Sequence, residues 1–166
     1  ILFCSEDGGD RWRYLSTIGD VEGVGLAEPA LGVTSTGRLI SVMRNDKGDQ
    51  YFQAISDDAG DSWSPAKPCG IPGRGNPASL LTLEDGTVLC VHGARQDPAG
   101  IYVVASKDDG VTWDLDGRRI IRDDFSNWDC CYPSTVLMPD GRIFTTFYFN
   151  MFERFFILGC HFEWRL

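Results

Sequence analysis

Short runs of apolar residues, separated by polar turns that contain glycine, recur along the whole chain. Runs such as Leu39–Met43, Val88–Val91 and Ile143–Phe149 are nearly continuously apolar, which is typical of strands in sheets that are covered on both faces. No window of eleven residues holds the 3.6-residue period of an amphipathic helix. The pattern therefore predicts an all-β protein whose strands are joined by tight turns.

An octapeptide with the pattern Ser-x-Asp-x-Gly-x-x-Trp occurs three times, with its serines 51 and 50 residues apart. We expect a structural role for it. The aspartate can accept hydrogen bonds from nearby backbone N–H groups, the glycine supplies a backbone angle that other residues resist, and the tryptophan packs the turn onto the sheet. The residues of the three copies are Ser5, Asp7, Gly9 and Trp12; Ser56, Asp58, Gly60 and Trp63; and Ser106, Asp108, Gly110 and Trp113.

A second repeated element lies between the octapeptides and begins at Glu28, Asn76 and Tyr132. Each copy holds an X-Pro dipeptide, a short apolar strand, a turn that ends in glycine, and another strand. Each period of about 50 residues therefore holds four strands, which is typical of a β-propeller blade. We expect a single partial propeller domain at 1–166, with a blade remnant at 1–18 and blades at 28–69, 76–121 and 132–166.

Composition and charge narrow the classes of function. Hydrophobic residues make up 43% of the chain and charged residues 23%, as in ordinary globular domains. The net charge of −9 argues against nucleic acid or an anionic membrane as a partner, because Lys and Arg carry phosphate binding. No apolar run approaches the roughly 18 residues that span a bilayer. There is no signal peptide, but the sequence begins at Ile1 rather than Met, so the compartment stays open.

We expect neither a metal ion nor a cofactor. The six cysteines form no Cys-x-x-Cys pair, which argues against zinc, and the aspartate turns lack the ligand spacing of a calcium loop. Cys90 and Cys160 fall within apolar runs and are expected in the core. Cys130 and Cys131 are adjacent and cannot easily bridge each other, and the redox state of the cysteines stays open.

The octapeptide is identified as the Asp-box, or BNR repeat, which occurs in sialidases and also in non-enzymatic propellers. Over nearly all of its length, the chain resembles the C-terminal half of a sialidase-like (neuraminidase-like) protein. The resemblance implies a six-bladed propeller, of which this chain supplies about three four-stranded blades, since six blades need roughly 300 residues. It also implies an active site on the innermost strands, with an arginine triad, a Tyr–Glu nucleophile pair and an aspartate acid/base.

Four residues match this family pattern. Glu28 opens an innermost strand 16 residues before Arg44, which resembles the family's glutamate and second triad arginine. Arg95 precedes the third Asp-box as the third triad arginine does, and Tyr132 stands in the setting of the nucleophile. The resemblance thus implies Tyr132 and Glu28 as the catalytic pair, and Arg44 and Arg95 as ligands of a substrate carboxylate. No match for the first triad arginine or for the acid/base aspartate is found.

These residue types suit the hydrolysis of sialic acid or a related acidic sugar. Arginine binds a carboxylate bidentately. Beside the substrate's carboxylate, a neutral phenol avoids the repulsion that a carboxylate nucleophile would meet. A glutamate is then needed to take the phenolic proton, since tyrosine titrates near pH 10.

Simpler interpretations of the four residues stay open. Arg44 and Arg95 can be surface charges at hairpin ends. Glu28 can be an exposed loop residue, with the extended backbone that a following proline favours. Tyr132 can be a packing residue on the central axis, a place that Tyr148 can also take.

Other aromatic and histidine residues are expected to be structural. His92 and His161 are isolated within strands. Phe125 and Trp128 either pack their loop or line a sugar-binding loop.

Two classes of function remain. The first is a sialidase-like glycoside hydrolase, or a fragment of one, which the four residues favour for the parent protein. The second is a non-catalytic propeller that binds a glycan or a protein. The missing acid favours the second for this chain alone, because its loss typically costs about 10²–10⁴-fold in rate. Uneven strand numbers at the two ends also predict a homodimer that completes six blades.

Overall fold

The computed structural model describes residues 1–96 and 98–165, a part of the chain that contains thirteen strands and no helix. The prediction of an all-β protein is confirmed. The strands are β1 (Leu2–Cys4), β2 (Arg13–Ser16), β3 (Leu26–Val33), β4 (Leu39–Asn45), β5 (Gln50–Ser56), β6 (Lys67–Pro72), β7 (Ala78–Thr82), β8 (Val88–Ala94), β9 (Gly100–Ser106), β10 (Asp114–Arg122), β11 (Cys131–Leu137), β12 (Ile143–Met151) and β13 (Arg154–Phe162).

The strands form four antiparallel sheets in which each strand pairs with its neighbours in the chain. Sheet A holds β1 and β2, sheet B holds β3 to β6, sheet C holds β7 to β10, and sheet D holds β11 to β13. The innermost strands of sheets B, C and D are β3, β7 and β11, and β7 contacts both of the others. We call the region around these three strands the hub.

Apolar cores lie between successive sheets. Residues such as Ile40 in sheet B and Val88 in sheet C form one cluster, and Val91 in sheet C and Phe147 in sheet D belong to another. The middle strands β8 and β9 are buried along their whole length. Their continuous apolar sequence is therefore explained by cover on both faces.

Strand β12 differs from this pattern. Its residues mostly alternate between buried and partly exposed positions, so the expectation of cover on both faces is wrong for Ile143–Phe149. The buried positions, including Ile143 and Phe147, face sheet C, and the alternation is that of a strand with one packed face. Cys90 is fully buried as predicted, whereas Cys160 is only partly buried at the margin of this core.

The three Asp-boxes have nearly the same geometry. In the second copy, Ser56 Oγ donates to Asp58 Oδ1 at 2.8 Å and accepts from the Gly60 amide at 2.8 Å. Asp58 Oδ1 also accepts from the Ser62 amide at 2.9 Å. Hydrogen bonds from the Ser62 hydroxyl, the Ser62 amide and Ser56 Oγ to the ionised carboxylate lower the pKa of Asp58 to about 2. The other two copies repeat the two bonds of the serine hydroxyl and the amide bond to the aspartate through Ser5, Asp7, Gly9 and Arg11, and through Ser106, Asp108, Gly110 and Thr112.

Two Asp-boxes are hydrogen-bonded to the preceding sheet, and we call each of these contacts a clasp. Trp113 Nε1 donates to Gln53 Oε1 at 2.7 Å, and Gln53 Nε2 donates to the Gly110 carbonyl at 3.0 Å. Gly110 has φ +76°, and a Cβ there would lie 2.0 Å from the Ile40 side chain. Only glycine therefore allows so close an approach of the turn to sheet B. Likewise, Trp63 Nε1 donates to Ser16 Oγ at 3.1 Å, and this hydroxyl donates to the Gly60 carbonyl at 2.5 Å.

The first Asp-box differs from the other two. Trp12 Nε1 donates to the Gly9 carbonyl of its own turn at 2.9 Å, and the residue is 65% exposed. The expectation that each tryptophan packs its turn onto a sheet is therefore wrong for Trp12.

Among the described residues, no helix is long and apolar enough to cross a membrane.

The homodimer stays a prediction. Exposed apolar side chains lie on sheet A, including Phe3 and Tyr14, and on β13, including Phe155 and Ile157. Light scattering after size exclusion is expected to give a mass of about 37 kDa, twice the 18.4 kDa of one chain. A mass of one chain for the folded protein would contradict the prediction.

The clasp between sheets B and C predicts that Trp113→Phe is destabilising. The change leaves the buried Gln53 Oε1 without its donor, which is expected to lower the free energy of unfolding by about 1–3 kcal/mol. Urea unfolding followed by circular dichroism measures the difference. Trp12→Phe is the matched control, and its effect is expected to stay within about 0.5 kcal/mol. Equal losses in the two variants would show that the clasp does not contribute.

Candidate active site

The four residues that match the family pattern converge at the hub. Glu28 lies on β3, Arg44 near the end of β4, Arg95 directly after β8, and Tyr132 on β11. Glu28 and Tyr132 are 104 residues apart in the chain and are joined by a hydrogen bond. The site therefore forms only when sheets B, C and D are docked.

Two irregular strand segments direct the side chains of this site. Glu28 has φ +49° and Tyr132 has φ +59°, and the strand pairing shifts register around each of them. The expectation of an extended Glu28 is therefore wrong, because a bulge overrides the bias imposed by the following proline. Such conformations cost on the order of 1–3 kcal/mol for a residue other than glycine, and they cluster at functional sites.

Tyr132, Glu28 and Arg44 form a connected set. Tyr132 Oη donates to Glu28 Oε1 at 2.6 Å, and Arg44 Nη1 lies 3.0 Å from Glu28 Oε2. Arg44 Nε and Nη2 donate to Asp46 Oδ1 at 3.0 and 2.8 Å. The Glu28 carboxylate thus faces a phenolic proton on one side and a fixed guanidinium on the other.

The environment of Tyr132 favours its neutral form. The hydrogen bond to the Glu28 carboxylate, together with partial burial, raises the pKa of Tyr132 above its ordinary value of about 10. The positive charges of Arg44 and Arg95 act in the opposite direction. At neutral pH the phenol is protonated and bound to its acceptor.

A second set of the same composition lies beside the first. Tyr148 Oη donates to Asp129 Oδ1 at 2.6 Å and accepts from Arg95 Nη2 at 2.6 Å. The rings of Tyr148 and Tyr132 are 5.7 Å apart between centroids. Burial, followed by the bond to Asp129, raises the pKa of Tyr148 well above its usual range. Asp129 was missed by sequence reasoning, and the only signal was its position three residues before Tyr132.

Further protein contacts hold Arg95. Its Nη1 donates to the Gly75 carbonyl at 2.9 Å, and its Nε and Nη2 donate to the Cys130 carbonyl at 3.4 and 3.3 Å. Its guanidinium carbon lies 5.7 Å from the centroid of the Trp128 ring. Arg44 and Arg95 thus lie at strand ends, as the simpler interpretation expects, but both side chains are partly buried and held by protein groups.

The anchored arginines border an open cavity. It has a volume of about 410 Å³ and is lined by Arg44, Asp46, Arg74, Gly75, Arg95 and Trp128. Trp128 is 61% exposed, so its ring forms an accessible apolar surface of this cavity. Arg74 was also missed by sequence reasoning, because its loop carries no part of the repeated pattern.

The remaining candidates lie elsewhere. His92 is buried between the rings of Tyr51 and Tyr102, and burial lowers its pKa to about 4. His161 stacks on Phe144 with ring centroids 4.7 Å apart, and Phe125 packs on Phe149. These three residues pack in or against strands, as expected.

The structure shows no metal-binding cluster and no disulfide among the described residues. No group of three or more His, Cys, Asp and Glu side chains is placed to hold an ion there. All six cysteines are free thiols, and the buried Cys130 and Cys131 have their Sγ atoms 3.0 Å apart. These two thiols alone do not form a metal-binding group with other described residues.

Proteins of known structure share this arrangement of sheets. A protein of unknown function from Dyadobacter fermentans matches with a TM-score of 0.87 and 28% identity, over 98% of this chain and 45% of the other. The NanB sialidase from Streptococcus pneumoniae matches with a TM-score of 0.71 and 16% identity, over 97% of this chain and 27% of the other. An alpha-L-arabinanase from Penicillium chrysogenum matches with a TM-score of 0.67 and 19% identity, over 96% and 52%.

This chain thus spans about half the length of these relatives or less. Sialidases and arabinanases of this kind are propellers, and the prediction of a partial β-propeller is confirmed. No curated protein matches the sequence significantly. A family model described as a BNR repeat-like domain matches residues 1–145, which agrees with the three Asp-boxes. The chain belongs to the BNR repeat-like domain family.

Proposed function

We propose that the hub is the site of a sialidase-like glycoside hydrolase, which acts on a sugar that carries a carboxylate. One observation carries this proposal. The phenol of Tyr132 donates to Glu28 at 2.6 Å, while the other oxygen of this carboxylate lies 3.0 Å from Arg44. A neutral nucleophile with a base in place is the arrangement that an anionic sugar requires.

In the proposed reaction, Tyr132 Oη attacks the anomeric carbon and forms a covalent bond to it. The phenolic proton passes to Glu28 along the existing hydrogen bond, and the bond from the anomeric carbon to the leaving oxygen breaks. The leaving oxygen takes its proton from solvent water in this first step, since we assign no residue of this chain to that role. Water then displaces the tyrosine, and Glu28 returns its proton to the phenolate. The proton that the attacking water loses goes to solvent and replaces the one taken in the first step.

The two arginines can hold the substrate's carboxylate. Each guanidinium has five N–H donors. Arg44 donates two of them to Asp46 and forms an ion pair with Glu28, and Arg95 keeps one Nη1 proton free of the contacts described above. The protein contacts fix the orientation of both groups before a ligand arrives, which lowers the cost of binding.

A non-catalytic propeller that binds an acidic glycan is the second candidate. The observation that favours it is the cavity itself, in which the arginines and the exposed ring of Trp128 suit a bound sugar without any chemical step. Two structural neighbours are by name a sialidase and an arabinanase. A glycan is the proposed partner in either case.

Turnover of a fluorogenic sialoside separates the two candidates. If the first candidate is correct, the unsubstituted chain hydrolyses this sialoside, and Glu28→Gln reduces the turnover by about 10²–10⁴-fold through loss of the base. Tyr132→Phe is expected to abolish turnover and to retain binding of free sialic acid, measured by calorimetry. Tyr14→Phe is the control, since this tyrosine is exposed on sheet A.

Binding without turnover by the unsubstituted chain would support the second candidate. Absence of both binding and turnover would overturn both. Turnover that survives Tyr132→Phe would contradict the role of this tyrosine.

The raised pKa of Tyr132 gives a second prediction. Because the phenol is stabilised by the Glu28 carboxylate, Glu28→Gln is expected to lower the pKa of Tyr132, so that tyrosinate absorbance near 295 nm appears at lower pH. The stability that this hydrogen bond contributes is present below the ordinary tyrosine pKa of about 10 and is lost as the pH rises through the raised value.

The double variant Glu28→Gln, Tyr132→Phe is the control. If the shifted absorbance belongs to Tyr132, it is present in Glu28→Gln and absent from the double variant. An unchanged titration in Glu28→Gln would contradict the coupling of the two groups.

A further inference from the structure

Arg74 differs from the other two arginines of the cavity. It lies between β6 and β7, is exposed, and lines the cavity together with Arg44 and Arg95. Arg44 is held by Glu28 and Asp46, and Arg95 by several acceptors. Within residues 1–96 and 98–165, by contrast, the Arg74 guanidinium makes no hydrogen bond and no ion pair. Toward the described part of the chain, all five of its N–H donors are unused.

The backbone on both sides of Arg74 is fixed. The Gly73 amide donates to the Asp49 carbonyl at 3.0 Å, and a Cβ on Gly73 would lie 2.0 Å from the ring of Tyr51. Gly75 has φ +72°, and its carbonyl accepts from Arg95 Nη1 at 2.9 Å. The loop is therefore tied to the same guanidinium that borders the cavity, and Arg74 extends from a defined point beside it.

Three guanidiniums around one cavity repel one another. Among the described residues, Arg44 and Arg95 each contact a carboxylate, whereas Arg74 contacts none. An anionic ligand group beside Arg74 would supply the missing countercharge. In a partly enclosed cavity, such a charge-assisted contact is stronger than in open water. Trp128 provides a ring against which an adjoining sugar can pack.

We infer that Arg74 binds a second anionic group of the ligand, carried by the sugar next to the one whose carboxylate Arg44 and Arg95 hold. The preferred substrate class is then a glycan with acidic groups on two neighbouring sugars. The inference rests on the proposed function of the hub, and it assigns to Arg74 a role in specificity and none in the chemical step.

Calorimetry with two ligands tests this inference. The first ligand is the methyl glycoside of sialic acid, with one carboxylate, and the second is the α2,8-linked sialic acid dimer, with two. Both are measured in the Tyr132→Phe background, so that neither ligand is cleaved. We expect the dimer to bind about tenfold more tightly, as one added charge-assisted contact allows.

Arg74→Gln in this background is expected to remove the tenfold preference and to change binding of the single sugar by less than about twofold. Arg74→Lys is expected to restore part of the preference, because the charge remains and the planar fork is lost. Arg11→Gln is the control for net charge, since Arg11 is an exposed arginine on the sheet A side of the chain and does not line the cavity.

The possible failures are distinguishable. Binding of the single sugar without preference for the dimer, or equal loss of both ligands in Arg74→Gln, would overturn the role of Arg74 and leave the proposed function standing. No binding of either ligand by the Tyr132→Phe protein would overturn the proposed function and, with it, this inference.

Discussion

The clasp between successive sheets is the interaction on which the rest of this structure depends. In each of the two clasps, one polar side chain of the earlier sheet accepts a hydrogen bond from an Asp-box tryptophan and donates one to an Asp-box glycine carbonyl. Gln53 uses two atoms for this purpose and Ser16 uses one. Both residues are almost completely buried, and a buried polar group without partners is expensive. The two clasps, between sheets A and B and between sheets B and C, therefore admit one relative placement of the sheets they join, and they fix β3 relative to β7 at the hub. Sheet D is docked on sheet C by the apolar cluster that includes Val91 and Phe147.

That placement brings together side chains that are remote in the sequence. The hub contains two neighbouring sets of tyrosine, carboxylate and arginine: Tyr132 with Glu28 and Arg44, and Tyr148 with Asp129 and Arg95. The two tyrosines differ in exposure. Tyr132 is 43% exposed, whereas Tyr148 is partly buried and its pKa is raised mainly by burial. Tyr132 is therefore better placed to meet a ligand, and Tyr148 is suited to hold Arg95 in place.

Much of the fold could be predicted from the sequence, because each repeat encodes its own turns. The Asp-box needs only residues within eight positions of one another, so its pattern predicts its hydrogen bonds. The environment of its tryptophan depends on the preceding sheet, and for that reason Trp12 and Trp113 share a motif but not a burial state.

The site was predictable only in part. Glu28, Arg44, Arg95 and Tyr132 were found through resemblance to a family, not through physical rules. The rule for residues before proline gave the wrong backbone for Glu28, because a bulge in a docked strand outweighs a local preference. Asp129 and Arg74 lie in loops, where the sequence holds no period. Their relation to the cavity arises from contacts such as that of Arg95 with Gly75.

The X-Pro dipeptides of the repeat mark the positions at which successive repeats carry different functional groups. Equivalent places at the start of three successive innermost strands hold Glu28, Asn76 and Tyr132. Two of these residues have left-handed backbone and meet each other, and the one between them is buried. A scaffold of near-identical units thus presents a different functional group from each unit to a shared centre. The repeated backbone and the differing reactive groups therefore do not interfere with each other. The Asp-box turns and the clasps, which maintain the regular backbone, involve none of the positions that carry the reactive groups.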